Sequence, residues 1–183
     1  MVYLFLAEGF EEIEALTPVD LLRRAGVEVK TVGVGGDVIC GTHGIDVKAD
    51  INAKDLDVSR TDFDMIILPG GMPGTSNLDA SPKVDAFIKA ACARGAYIAA
   101  ICAAPSVLGK RGILAGKKVI CYPGFEKYLD GATVENSESG VVRDGSTVCA
   151  RAAGSAVEFS LELIRVLKGD KTAEQVRSAI IAR

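Results

Sequence analysis

Short, wholly apolar runs alternate with longer segments in which apolar residues recur at helical spacing. The first run, residues 2–7, is Val-Tyr-Leu-Phe-Leu-Ala. An apolar run of that length and β-branched or aromatic content predicts a strand buried on both faces. Residues 11–25 follow with Ile13, Leu16, Val19 and Leu22 near a 3.6-residue period, and Gly26 supplies a stop, so a helix is predicted there. Pro18 interrupts it, which costs about 3 kcal/mol unless the helix bends.

Further strands are predicted at 27–34, 63–68, 97–101, 117–121 and 147–150. A hairpin is expected where 38–40 and 45–47 flank Gly41-Thr42-His43-Gly44. A second pair is expected between 134 onward and 141–142, turning near Ser139-Gly140. Arg143-Asp144-Gly145 carries a turn signature of its own. Helices are predicted at 84–94, stopped by Gly95, and after Pro105, at 155–167 and at 172–181. Apolar strands separated by helices imply an α/β fold with a parallel sheet covered on both faces. No linker, repeat or low-complexity tract divides the 183 residues, so one domain over 1–183 is expected.

Composition narrows the function classes. The chain is 49% hydrophobic and 25% charged, with a formal charge of −3. That balance excludes collagen-like and disordered chains, and it provides no basic field for nucleic acid. The longest apolar run, residues 96–104, is half of what a membrane span needs. Residues 1–7 lack a basic leader segment and meet Glu8 at once, unlike a signal peptide. Five cysteines without a CxxC spacing read as reduced thiols of a cytoplasmic protein, four of them mainly small core hydrophobes. With one histidine in the chain, no His/Cys metal site is expected.

Ligands of open parallel sheets bind beyond the carboxyl ends of the strands. Cys102 follows the strand at 97–101 and precedes a helix. It is either one more buried cysteine or a thiol at a sharp turn, its pKa lowered by the helix N-terminus. The flanking alanines 99, 100, 103 and 104 permit such a turn. Gly70-Gly71, after the strand at 63–68, form either a tight turn or a pair of N–H donors for an oxyanion. Glu8, Glu11, Glu12 and Glu14 cluster at the start of the first helix, where carboxylates complement the dipole. Glu14 stands apart because Ile13, Leu16 and Thr17 surround it near the apolar face. Burial there would raise its pKa and suit proton transfer. His43 reads as an exposed turn residue or a pocket residue, and Arg151 as an anion clamp or a structural pair.

Taken together these residues resemble the ThiJ/PfpI superfamily, in the branch of the human parkinsonism-associated deglycase. The resemblance spans nearly the whole chain. It rests on Glu8-Gly-Phe-Glu-Glu-Ile-Glu-Ala, Asp64-Met-Ile-Ile-Leu-Pro-Gly-Gly, Ala99-Ala-Ile-Cys-Ala-Ala-Pro and Arg151 with Gly154-Ser155. It implies a flavodoxin-like, class I glutamine amidotransferase-like three-layer sandwich, usually a homodimer. Cys102 would be the reactive thiol and Glu14 its carboxyl partner. Gly70, Gly71 and Ala103 would line the pocket with N–H groups, and His43 and Arg151 would stand at its rim. Three places depart from family patterns. Within Arg151-Ala152-Ala153-Gly154, alanines replace the family's common Gly-Pro, a change to the pocket wall. Ala103 stands where peptidase members carry histidine, which argues against peptidase activity. Tyr122 stands where the human branch carries histidine, so imidazole chemistry is lost there.

Two functions are then expected in parallel. One is a cofactor-independent glyoxalase or deglycase, of hydro-lyase or hydrolase type, that turns small dicarbonyls such as methylglyoxal into lactate. The other is an oxidative-stress sensor or redox-regulated chaperone in which Cys102 becomes a sulfinate without turnover.

Overall fold

The computed structural model describes residues 1–182. Strands, in chain order, are β1 (Val2–Ala7), β2 (Val29–Val34), β3 (Val38–Cys40), β4 (Asp46–Lys48), β5 (Ile51–Asn52), β6 (Met65–Leu68), β7 (Tyr97–Ile101), β8 (Lys118–Val119), β9 (Thr133–Val134), β10 (Val141–Asp144) and β11 (Thr147–Ala150). Helices are α1 (Glu12–Arg24), α2 (Gly74–Asp79), α3 (Pro82–Arg94), α4 (Pro105–Gly109), α5 (Ala156–Lys168) and α6 (Asp170–Ala179).

Seven strands form the central sheet in the order β10-β11-β7-β6-β1-β2-β5. Its pairs are parallel except at the β10 edge. Alternation along each strand feeds two cores. Val2, Leu4, Leu6, Met65 and Ile67 face α1, α5 and α6 through Ala15, Leu22, Phe159 and Val176. Tyr3, Phe5, Ile66 and Leu68 face α2, α3 and α4 through Leu78, Phe87, Ile88 and Val107. All six residues of β1 are buried, because both faces are covered. The expected three-layer, flavodoxin-like α/β sandwich is what forms. Among the described residues no helix is long and apolar enough to cross a membrane.

Local signals explain most boundaries. Glu11 caps α1 by accepting the Glu14 N–H at 2.7 Å, and Gly26 ends that turn at φ +69°. Ser81 caps α3, and Gly95 closes it in the left-handed region. The helix α1 runs through Pro18, which offers no N–H to the Glu14 carbonyl.

The carboxyl-terminal strands differ from the expected pairing. β9 pairs in parallel with β8 in a separate small sheet and not with β10. β10 includes Arg143 and Asp144, and its hairpin with β11 turns at Gly145-Ser146. Gly145 at φ +58° supplies the backbone that a two-residue turn demands. The cysteine reading also needs correction. Cys121 and Cys149 are buried, but Cys92 is exposed on α3 and Cys40 is half-buried at the end of β3.

Candidate active site

β7 delivers Cys102 into a turn that no regular strand or helix could hold. Cys102 has φ +66°, a left-handed conformation rare outside glycine. The surrounding backbone fixes it there. Its N–H donates to the Ala150 carbonyl at 2.9 Å, and its own carbonyl accepts the Tyr122 N–H at 2.8 Å. Ala103 and Ala104 are buried beside it, and small side chains let the chain turn so tightly.

α1 brings Glu14 to the same point. The residue is 1% exposed. Its Oε2 accepts the Gly70 N–H at 2.9 Å, and it also hydrogen-bonds the Ala153 N–H and the Cys102 thiol. Burial pushes the Glu14 carboxyl up to about 7. The charge of Glu11 adds to the rise, while the hydrogen bonds from Cys102, Gly70 and Ala153 oppose it. The sulfur of Cys102 accepts from the Ala103 and Gly71 N–H groups.

The expectation that a helix N-terminus lowers the Cys102 pKa is not met. Burial and the facing Glu14 push the thiol up to about 12, against the two N–H donors. The helix that follows, α4, has only five residues and so little dipole to offer. Proton release at this site is therefore a property of the Cys102–Glu14 pair.

The glycine pair splits its work. Gly70 serves Glu14 with its N–H, and Gly71, at φ +89°, serves the sulfur. A Cβ on Gly70 would sit 2.5 Å from Glu14 Oε2 and 2.7 Å from the Cys102 Cβ. Gly70→Ala should therefore destabilise the fold by about 2 kcal/mol, a drop in Tm of about 5 °C. Differential scanning calorimetry reads it, and an unchanged Tm would show that the pair yields freely.

The remaining expected residues lie around this centre in other roles. His43, in the β3–β4 turn, is exposed. Its Nδ1 lies 2.8 Å from Glu12 Oε2, and its backbone N–H donates to Glu12 Oε1 at 2.7 Å. Glu12 itself is buried. Burial would raise it, but the hydrogen bonds and charge of His43 hold it below the usual carboxylate range. The Glu11, Glu12 and His43 ligand atoms lie within 4.8 Å of one another, and the His43 Nδ1 is already engaged by Glu12. Tyr122 has an exposed side chain whose ring meets Phe125 edge-on, and its backbone N–H is what touches the Cys102 turn. Arg151 meets structural partners. Its guanidinium bonds Asn136 Oδ1 and, at 3.2 Å, the Ser137 carbonyl. The roles of two contributors had no signal in the sequence. Ala153 acts through a backbone N–H, and Glu12 is distinguished from its acidic neighbours only by a histidine 31 residues away.

Residues 1–166 match the DJ-1/PfpI family. The chain is 36% identical over 181 residues to the Parkinson disease protein 7 homolog of Danio rerio, covering 97% of this chain and 95% of that protein. It is 32% identical over 177 residues to a glutathione-independent glyoxalase of Caenorhabditis elegans, covering 96% and 93%. The crystal structure of Drosophila melanogaster DJ-1beta superposes with a TM-score of 0.92 at 31% identity, covering 100% of this chain and 97% of that one.

Proposed function

The chain belongs to the DJ-1/PfpI family, and from the hydrogen-bonded pair of Cys102 and Glu14 we propose that it is a cofactor-independent, glyoxalase-type enzyme acting on small dicarbonyls. The observation that carries the reading is a nucleophile in contact with a buried carboxyl held near 7, where an acid/base group works best at neutral pH. A relative named a glutathione-independent glyoxalase supports it.

In this mechanism the sulfur of Cys102 adds to the aldehyde carbon of methylglyoxal. Glu14 takes the thiol proton and hands it to the new oxygen, giving a hemithioacetal. Glu14 then removes the proton from that carbon and returns it to the neighbouring one through an enediolate. The product is a lactoyl thioester. Water cleaves it to lactate and restores the thiol, so methylglyoxal and one water balance one lactate. The Gly71 and Ala103 N–H groups face the reacting sulfur and suit the oxygen charge that develops beside it. Ala103 provides no imidazole for peptide cleavage. Lactate formation from methylglyoxal by the freshly reduced protein, without glutathione, tests the proposal. No lactate would overturn it.

The same two N–H donors favour a second reading, in which they hold the oxygens of a Cys102 sulfinate. Two peroxide molecules would oxidise the thiol to sulfinate and leave two waters. Peptide-resolved mass spectrometry after peroxide titration should then show two added oxygens at Cys102 first. Equal oxidation of exposed Cys92 would count against it. We place the protein in the cytoplasm as a homodimer. Its free thiols suit a reducing compartment. Ile13, in the first turn of α1, and Met72, in the loop after Gly71, are both more than half exposed beside the pair and support self-association.

A further inference from the structure

The β3–β4 turn is fastened over the site from two sides. The Thr42 N–H donates to the Phe10 carbonyl at 2.8 Å, and Thr42 Oγ1 donates to the Met72 carbonyl at 3.2 Å. These two loops lead to Glu14 and away from Gly71. Gly41 passes so close to Glu12 that a Cβ would lie 2.3 Å from its carboxylate. His43 closes this contact by gripping Glu12 with both its backbone N–H and its ring.

The corner is strongly acidic. Glu11 lies 3.9 Å from His43 Nδ1 through Oε1, while its Oε2 accepts the Glu14 N–H at 2.7 Å. Glu8 and Asp46 act on neighbouring Cys40, together with Glu12. The other groups that meet Glu14 are Cys102 and the N–H groups of Gly70 and Ala153. His43 brings positive charge into this set when protonated, and Glu12 favours that form.

We propose that His43 is a positioning residue whose imidazolium, latched to buried Glu12 beside Glu11, balances the negative charge under Glu14 and so lets the Cys102–Glu14 pair release its proton at lower pH. The inference rests on that pair being the reacting couple. Its test reads the pair directly, whether or not a dicarbonyl is turned over.

The experiment is iodoacetamide alkylation of Cys102 on the full chain, followed by peptide mass spectrometry from pH 5 to 9. Wild type is compared with His43→Asn and His43→Arg. Asn places an amide nitrogen near the Nδ1 position and suits the turn, so the hydrogen bond stays while the charge goes. Arg keeps the charge at every pH. Near pH 6.5 the Asn variant should react about threefold more slowly, the equivalent of about half a pH unit for a charge acting through an intervening group. The difference should shrink as pH rises through the raised imidazole pKa and vanish once the wild-type ring is itself neutral. The Arg variant should match wild type at pH 6.5. Superposable profiles for wild type and Asn would overturn the proposal. So would equal slowing of both variants at all pH values, which marks a purely structural latch. Loss of glyoxalase activity with these profiles intact would instead remove the reaction and leave the role of His43 standing.

Discussion

Cys102→Ser should lower lactate production from methylglyoxal at least a thousandfold, the equivalent of about 4 kcal/mol of transition-state stabilisation. A hydroxyl is a far weaker nucleophile than a thiol, and nothing else in the site can replace the sulfur. The other four cysteines are poor substitutes. Burial pushes Cys149 up to about 12 and Cys121 up to about 11, the latter helped by Glu126. Cys40 is raised by its hydrogen bond to Asp46, and Cys92 is exposed on α3, away from Glu14. Serine is close in size, so the left-handed turn and the bonds to Ala150 and Tyr122 should persist and the Tm should stay within a few degrees. Turnover by the Ser variant within tenfold of wild type would assign the chemistry to another group. Lost turnover with a collapsed Tm would be uninformative, and Cys102→Ala then repeats the assay without a buried hydroxyl.

What could be read from the chain follows from how local the cause was. β1 was legible because six apolar residues in a row are a burial pattern in themselves. The ends of α1 and α3 were legible from Gly26 and Gly95, which the backbone needs at positive φ. Cys102 could be singled out by its small neighbours. Glu14 was singled out for its neighbours Ile13, Leu16 and Thr17, yet Ile13 is exposed, and Glu14 is buried because it points at Gly70 instead. The helix α2 was not predicted, because six residues give no period to detect. The partners of β8 and β9 were missed for a different reason. Two-residue strands carry no alternation, and their pairing spans a loop that only tertiary packing closes. The thiol pKa went astray because a strand-to-helix turn announces a dipole but not the length of the helix behind it, nor the carboxyl that faces it from α1. Arg151 shows the same limit. A guanidinium after a strand announces a partner but not which one, and Asn136, 15 residues away, comes to it only through the fold.

Glu14→Gln separates proton transfer from packing at the same atom, and it should cost about a thousandfold in kcat while leaving Cys102 open to alkylation. Gln is isosteric and can still accept the Gly70 and Ala153 N–H bonds through its carbonyl oxygen. It cannot carry a proton between neighbouring carbons. Its effect on stability should run the other way with pH. The wild-type carboxyl titrates near 4.5 when unfolded and about 7 when folded. Below about pH 4.5 both states hold the proton, and the full contribution of the buried neutral acid is present. Between about 4.5 and 7 the unfolded chain loses its proton while the folded chain keeps it, so stability falls as pH rises, by about 3 kcal/mol in total. Above 7 both are ionised and the curve levels. The Gln variant lacks this slope and should gain on wild type between pH 5 and pH 8, which urea denaturation at the two pH values measures directly. Parallel curves for the two proteins would mean that Glu14 ionises in the fold as it does in water. The carboxyl would then be charged at neutral pH but a weaker base, able to meet the thiol proton yet poorly matched to drawing one from carbon.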